Sequence, residues 1–575
     1  MVYLSECQFC ISWQSADKTN MTPVKKTSVR SLLHSAGIVG LMTLLSRITG
    51  LVVQRMIGSR LGLNDISDAY QVAYRLPNML RRFTAEGTMT AAFLPTLVDV
   101  DAKRGEEEAK SFTADFLGTL GVILLVICVI GVILMTPITG LLMLGKLAPG
   151  ASFITQIGVL WDVILGKTGF PDTVALGVAL GRIMFPYLLL VSITSAMAAV
   201  LNMRHRFALA ASTNMCGNIV FISVSWIAFH LMTRPFGARA ALVFAFAMLL
   251  HGLVQILVLA PIFRRMGFHF GWLARFKNPD VRLALKRMVP GIIAGGIHPI
   301  NVFVSQSLAS QLPPGAQTVM ANSNLLGELV LGLFAVSVAT VSLPTMSRQA
   351  SEGDVPGVSS SLGEALRGTA FMVIPGAIGM AVLATPIIAF IYHKGAFGAE
   401  AVAWTSATLP YQALGLIFIA SARVSTQALN AMKDYSGPAL AAIIGFVCNV
   451  AFSLLLMRPM GTNGMALANS LAALAGLIFQ AWRLRYTLGH LPIKNVASGW
   501  LKMGCAAAVM GTVAWYGSTL LTIHDPFAFQ GTIATVWRLF PLIAACGTLY
   551  FGLALFFRIP EAKSLFNAVL KKIKR

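Results

Sequence analysis

Nine ionisable side chains stand inside stretches that are otherwise apolar: Arg47, Arg55, Asp68, Arg75, Arg81, Arg82, Glu86, Glu328 and Arg423. A charge at the centre of a membrane-spanning helix costs about 2.5–3.5 kcal/mol on insertion scales, so such residues face a cavity, a partner or a pathway. Arg47 and Arg55 are eight residues apart. That is just over two helical turns and places them on one face, about 12 Å apart along the axis. Arg82 and Glu86 have the spacing of an intrahelical pair, which leaves Arg81 on an adjacent face. The result is a surplus of guanidinium groups over carboxylates. Unpaired buried charge stabilises a helix bundle poorly. It suits a phosphate well, because the planar fork binds oxyanions bidentately and stays ionised. The expectation is a water-filled central cavity that receives an anionic, diphosphate-bearing headgroup. Plainer accounts stand beside it. Arg81 and Arg82 also fit snorkelling to the inner surface, Arg55 the outer interface, and Asp68 a cap opening its helix.

The elements that must position these charges follow from composition. Charged residues make up only 11% of the 575-residue chain, the apolar set 56%, and mean hydropathy is +0.74. Ordinary soluble proteins carry about 25% charged residues. A water-soluble multidomain enzyme is therefore excluded, as is a disordered or disulfide-stapled chain. Fourteen apolar stretches between residues 35 and 557 come close to the roughly 20 residues that a spanning helix needs. They include 66–97, 284–311, 437–457 and 463–485, and in the loop 139–174 Trp161 and Phe170 suggest an interfacial helix. The fold class expected is an all-α polytopic membrane protein of about 14 transmembrane helices, in two pseudo-symmetric six-helix bundles plus two C-terminal helices.

The net charge of +22 is explained by topology. With both termini cytoplasmic, the inner loops and tails hold about 29 Lys and Arg and the outer ones about nine, the bias of the positive-inside rule. Nucleic acid is not needed as a partner. The expected divisions are a cytoplasmic extension 1–33, a six-helix bundle 34–262, a basic loop 263–283, a second bundle 284–486, two further helices 487–560 and a basic tail 561–575. Met21 precedes a basic stretch and is a second candidate start, and no role is expected of residues 1–20.

An internal echo supports the two bundles. Phe185-Pro186-Tyr187, Leu201-Asn202, Ala208 to Ala211 and Asn218 recur in order as Leu409-Pro410-Tyr411, Leu429-Asn430, Ala439 to Ala442 and Asn449. The copies lie six predicted helices apart, so both cross in the same direction, as in transporters built from parallel repeats. No catalytic set is present: the nine histidines are scattered, Cys7 and Cys10 have no second pair, and no nucleotide loop carries its lysine. No cofactor is expected. Any transport would draw on a coupling cation, the membrane potential or the substrate gradient.

The residues also resemble a known family. Ser46-Arg47-Ile-Thr-Gly50, Asp68-Ala-Tyr70, Leu76-Pro77-Asn78-Met-Leu-Arg81-Arg82 and Ala85-Glu86-Gly87 are similar to the N-terminal signature of the MurJ (MviN) lipid II flippases. The resemblance continues through Arg182 to Tyr187, Leu201-Asn202 with Arg206-Phe207, Leu343-Pro344 and Gly395-Ala-Phe397, and spans most of 33–490. It implies the fourteen-helix multidrug/oligosaccharidyl-lipid/polysaccharide exporter fold. It also implies movement of lipid-linked disaccharide pentapeptide from the inner to the outer leaflet of a bacterial cytoplasmic membrane, with membrane lipids around the tail. By position it carries over Arg47, Asp68, Arg81, Glu86 and Glu328. With Arg55 and Arg82 from the charge reading, these make the expected substrate-binding set. Two departures stand out: Val53-Gln54 where the family has Arg-Asp, and Asn324-Leu325 where it has Asp-Arg. They keep open an exporter of another lipid-linked oligosaccharide. A drug antiporter fits the cationic cavity poorly, a membrane glycosyltransferase lacks its acids, and a scaffold leaves the buried charges unexplained.

Overall fold

The computed structural model describes residues 29–84, 92–232, 236–271, 273–295, 297–525 and 532–573. The first half comprises α1 (Val29–Leu61), α2 (Asp65–Thr84), α3 (Leu94–Arg104), α4 (Glu106–Ile133), α5 (Met135–Leu142), α6 (Leu144–Leu147), α7 (Phe153–Ile164), α8 (Asp172–Met184), α9 (Tyr187–Met203), α10 (Phe207–Leu231) and α11 (Gly237–Arg265). The second comprises α12 (Pro279–Gly295), α13 (Ile297–Ala309), α14 (Ala316–Ser351), α15 (Val355–Val382), α16 (Ala384–Tyr392), α17 (Ala399–Leu414), α18 (Leu416–Ala431) and α19 (Ser436–Leu488). Then come α20 (Ile493–Leu520), α21 (Thr532–Phe556) and α22 (Pro560–Ile573). There is no strand among the described residues, only one isolated bridge between Lys394 and Phe397.

The class is all-helical, as expected. Among the described residues nine helical segments are long and apolar enough to cross a membrane. One of them, α19, holds two expected spans. It doubles back at Gly461 (φ 57°, ψ −131°), so that Gly437 comes to lie against Arg483 and Gly476 against Ala441. In the stretch 66–97 the described residues give α2 up to Thr84 and α3 from Leu94, with Pro95 in its first turn. An expected span is interrupted at Pro186, between α8 and α9. In the loop 139–174 a helix forms as α7, which holds Trp161 but ends before Phe170; it is opened by Ser152, whose hydroxyl accepts from the Thr155 N–H. Trp161 lies on its exposed face.

Lipid tails are as apolar as leucine, so burial from water does not drive these helices together; close packing and internal hydrogen bonds do. A Cβ on Gly131 would fall 2.0 Å from the Phe185 ring, so α4 can approach the α8–α9 break only through glycine. The largest apolar core belongs to the first half and includes the stacked Phe93 and Phe116, 4.4 Å between ring centroids. Val281, Ala284 and Met288 of α12 join this core, whereas α13 packs mainly on α19. Residues of α14, α16, α17 and α18 build the core of the second half, and α20 and α21 add a cluster against α15.

The sequence echo has a backbone counterpart. At the end of α9, Arg206 N–H donates to the Leu201 carbonyl and His205 N–H to Asn202; at the end of α18, Asp434 donates to Leu429 and Lys433 to Asn430. His205 (φ 58°) and Lys433 (φ 60°) both take the left-handed conformation that closes such a helix end. Two non-glycine residues adopting the same strained turn at echoed positions mark one structural unit used twice.

Candidate functional site

A cavity of about 780 Å³ lies between the halves. Gln54 of α1 and Gln71, Tyr74, Arg75 and Asn78 of α2 form one wall. Asn324, Glu328 and Gln412 face them, with Arg423, Gln427, Asn469 and Gln480 from α18 and α19. Among the described residues three Arg or Glu side chains line it, Arg75, Glu328 and Arg423, of which the last two pair at 3.6 Å. That pair is weak, because Glu328 is 45% and Arg423 36% exposed. The wall is otherwise rich in amides, which both donate and accept hydrogen bonds. Such a chamber is suited to a large, hydroxyl- and amide-bearing anionic group.

The structure separates the expected site residues into classes. Glu328 lines the cavity. Arg47 lies beside it, with a Nη2 3.2 Å from where a Cβ on Gly332 would stand, one turn of α14 beyond Glu328. Arg81 is half-buried within the first half, close enough for its charge to act on Tyr74 and His251. Arg55 is turned elsewhere. Its guanidinium donates to the Phe390 carbonyl and, at 3.5 Å, to that of His393, capping the end of α16. The backbone of Arg82 continues α2, but its side chain and all of Glu86 lie outside the described residues, as does their expected pairing. Arg75 and Arg423 reach the cavity without having been placed in the expected set. Both were visible as intramembrane charges, the signal that identifies them.

Asp68 caps a helix other than its own. Asn64 opens α2 by accepting from the Ser67 N–H. The Asp68 carboxylate is fully buried and accepts from Gly315 N–H (2.8 Å), Thr318 N–H (3.0 Å) and the Thr318 hydroxyl (2.9 Å), at the start of α14. Lys146 stands 3.7 Å from it and 2.8 Å from Asp65. A carboxylate at a helix N-terminus satisfies orphan donors and opposes the positive dipole end. Gly315 must be glycine: its φ is +95° and a Cβ would meet Leu63 at 2.9 Å.

This capping bond is one of a group at the end of the bundle that carries the α1–α2 and α13–α14 turns. Gly145 N–H donates to the Ser310 hydroxyl at 2.9 Å, and Gln156 and Gln311 exchange amide bonds at 2.9 and 2.6 Å. Ala396 N–H donates to the Ser59 carbonyl at 2.9 Å and Gln317 to that of Leu142 at 3.0 Å. At the opposite, basic end, the first half is bonded to the linker and α12. Arg104 pairs with Asp280 at 2.6 Å, Asn278 donates to Asp115, and Arg287 to Thr96. These three contacts run from the first half to the linker and α12.

The residues at the two departures bear on the chamber itself. Gln54, Asn324 and Leu325 line the cavity and Val53 is buried, so neutral side chains stand in the wall where the family pattern has charges.

Known proteins share this sequence and architecture. The family model described as "Lipid II flippase MurJ" matches residues 57–530. A probable lipid II flippase MurJ of Rhizobium tropici is 28% identical over 504 residues, 86% of this chain and 90% of its own length. The lipid II flippase MurJ of Burkholderia cenocepacia is 27% identical over 540 residues, covering 91% and 96%. A solved lipid II flippase MurJ in an inward closed conformation superposes with a TM-score of 0.66 at 23% identity, over 90% of this chain and 98% of that one. An outward-facing multidrug MATE transporter of the MOP superfamily reaches 0.52 at 13% identity, over 79% and 95%, which is likeness of fold. With a family match over most of its length and this helical architecture, the chain belongs to the lipid II flippase MurJ family.

Proposed function

We propose that this protein is a flippase that carries lipid II from the inner to the outer leaflet of a bacterial cytoplasmic membrane by alternating access. The observation that carries the reading is the amide-rich chamber between the halves, with Arg75 in its wall and Arg47 beside it. In this reading the diphosphate meets those guanidiniums, the sugar-peptide head meets the amides, and the polyprenyl tail stays in lipid. The lysine and arginine bias supports a cytoplasmic basic end with both termini there. The chamber is then one stage of the cycle, closed at the outer end by the ties around Asp68.

An inside-negative potential would assist the outward step, since two negative charges crossing 100 mV gain about 4.6 kcal/mol. A coupling cation remains an additional proposed driver. The neutral Gln54 and Asn324 in the chamber favour, as a second reading, a related lipid-linked oligosaccharide. Complementation of flippase-depleted cells, with accessibility labelling of lipid II, separates the two. Wild type should restore growth and outer-leaflet lipid II, whereas Arg47→Ala and Arg75→Ala should fail at unchanged protein levels. Full flipping by both variants would refute the guanidinium pathway, and failure of wild type to expose lipid II would refute the substrate.

A further inference from the structure

One feature of the basic end is independent of the central chamber. A depression of about 550 Å³ lies where α10 begins and α11 ends, lined by His205, Arg206, Phe207, Ala208, Leu209, Ile262, Arg265 and Met266. Arg206 and Arg265 are exposed, and among the described residues neither has a carboxylate within ion-pair range. Their neighbour Arg204 differs, being paired with Asp101 at 3.1 Å and Glu106 at 3.7 Å. The floor is apolar. Phe207, Leu209, Ile262 and Met266 are half-buried, and the His205 ring stands edge-on to Phe207 at 5.7 Å.

The repeat supplies the comparison that gives this depression meaning. Arg206 occupies the backbone position that Asp434 occupies in the second copy, since each donates to the carbonyl five residues back, after a left-handed residue. In the second copy the corner contains its own anion. Asp434 accepts from Arg483 Nε at 2.7 Å, from the Ser436 hydroxyl at 2.7 Å and from Gly437 N–H at 3.0 Å. In the first copy the acid is replaced by a cation, no side-chain oxygen caps α10, and a second arginine converges from α11. One corner is internally neutralised, and its twin is left open and doubly cationic.

We infer that the corner formed by Arg206 and Arg265 binds the phosphate of an anionic phospholipid of the cytoplasmic leaflet, which takes the place that Asp434 fills in the second copy. Guanidinium forks match phosphate oxygens. Basic pockets between helices at the cytoplasmic face are suited to lipid head groups. The apolar floor would receive the start of an acyl chain, which a soluble phosphate lacks. The Arg206-Phe207 motif, which the chamber does not use, acquires a role: the cation holds the phosphate and the ring supports the chain. The only part of the functional reading used is the assignment of the basic end to the cytoplasm.

The test uses the full chain in detergent micelles, with native mass spectrometry counting lipids retained after titration with dioleoylphosphatidylglycerol, dioleoylphosphatidylethanolamine or inorganic phosphate. Wild type should retain the anionic lipid over the ethanolamine lipid. The preference should weaken about fivefold for each arginine in Arg206→Gln and Arg265→Gln. Arg206→Asp builds the second copy's internal pair with Arg265, and should remain folded, with a wild-type thermal midpoint, while losing the lipid. Lys277→Gln/Arg558→Gln removes two cations elsewhere at the basic end and should bind as wild type. Equal loss in that control, or unchanged binding in the arginine variants, would overturn the site. Retention of inorganic phosphate without lipid preference would overturn the lipid assignment. No readout depends on flipping, so failure here is distinct from failure of the transport reading.

Discussion

The two ends of the bundle are held by different means. At the far end the halves bond directly to each other, through buried or half-buried partners at Asp68 to α14, Gly145 to Ser310 and Gln156 to Gln311, and through the exposed Ala396 to Ser59. At the basic end the first half bonds to the linker and α12, through more exposed groups such as Arg104, whose side chain is 47% exposed. Buried polar bonds are costly to break, because donors stranded in a low-dielectric interior lose water as well as partner. Exposed pairs exchange for water at little cost. Of the contacts described, those at the far end are thus the costlier to break.

The largest test of this contrast is Asp68→Ala. Gly315, Thr318 and Lys146 lose their acceptor together, and a loss of about 3 kcal/mol is expected for breaking a buried charged network. The thermal midpoint should fall by several degrees, and a cysteine placed at Asn78 should become reactive from the far side. An unreactive cysteine would show that the other ties suffice. Next in size is Gly145→Ala, whose Cβ would stand 2.4 Å from the Ser310 carbonyl oxygen. Backbone must move, so about 1–3 kcal/mol is expected, again with far-side labelling of the cavity. A midpoint equal to wild type would mean that α6 and α13 slide freely.

The smallest effect belongs to the basic end. Arg483, Ser436 and Gly437 hold the Asp434 carboxyl down from its usual 3.8 to about 2. A depressed carboxylate contributes stability that is present above its ordinary value and is lost as pH falls toward 2. The difference in thermal midpoint between wild type and Asp434→Asn should therefore shrink from pH 5 to pH 2. Its size should stay within about 1 kcal/mol, as for a solvent-screened pair. A difference that grew on acidification would reverse the sign of the interaction.

Asp68 and Arg55 show how much of the site could be read from the chain. Both announce themselves as costly charges in an apolar stretch, and that signal also reaches Arg75, Arg423 and Glu328. What each charge touches is a different matter. The Asp68 partners lie some 250 residues away, at the start of α14, and Arg55 caps α16. Spacing along one helix gives the face a residue occupies but cannot say which other helix is opposite. The cavity amides were invisible for the related reason that a glutamine in an apolar helix costs far less than a charge and stands out less.

Composition by itself determined the solvent of this protein. With so few charges, and its apolar residues in runs of about 20, the chain satisfies its backbone in lipid as helices. Periodicity, proline and glycine then set the segments, and ordered echoes set the repeat. Tertiary structure alone decided that one copy's corner is closed by Asp434 while the other is left open by Arg206, that the buried ties around Asp68 sit at the far end, and that the chamber is walled by amides as well as arginine. Those outcomes depend on contacts between residues distant in sequence. Such contacts form only when whole helices have packed, and no local pattern encodes them.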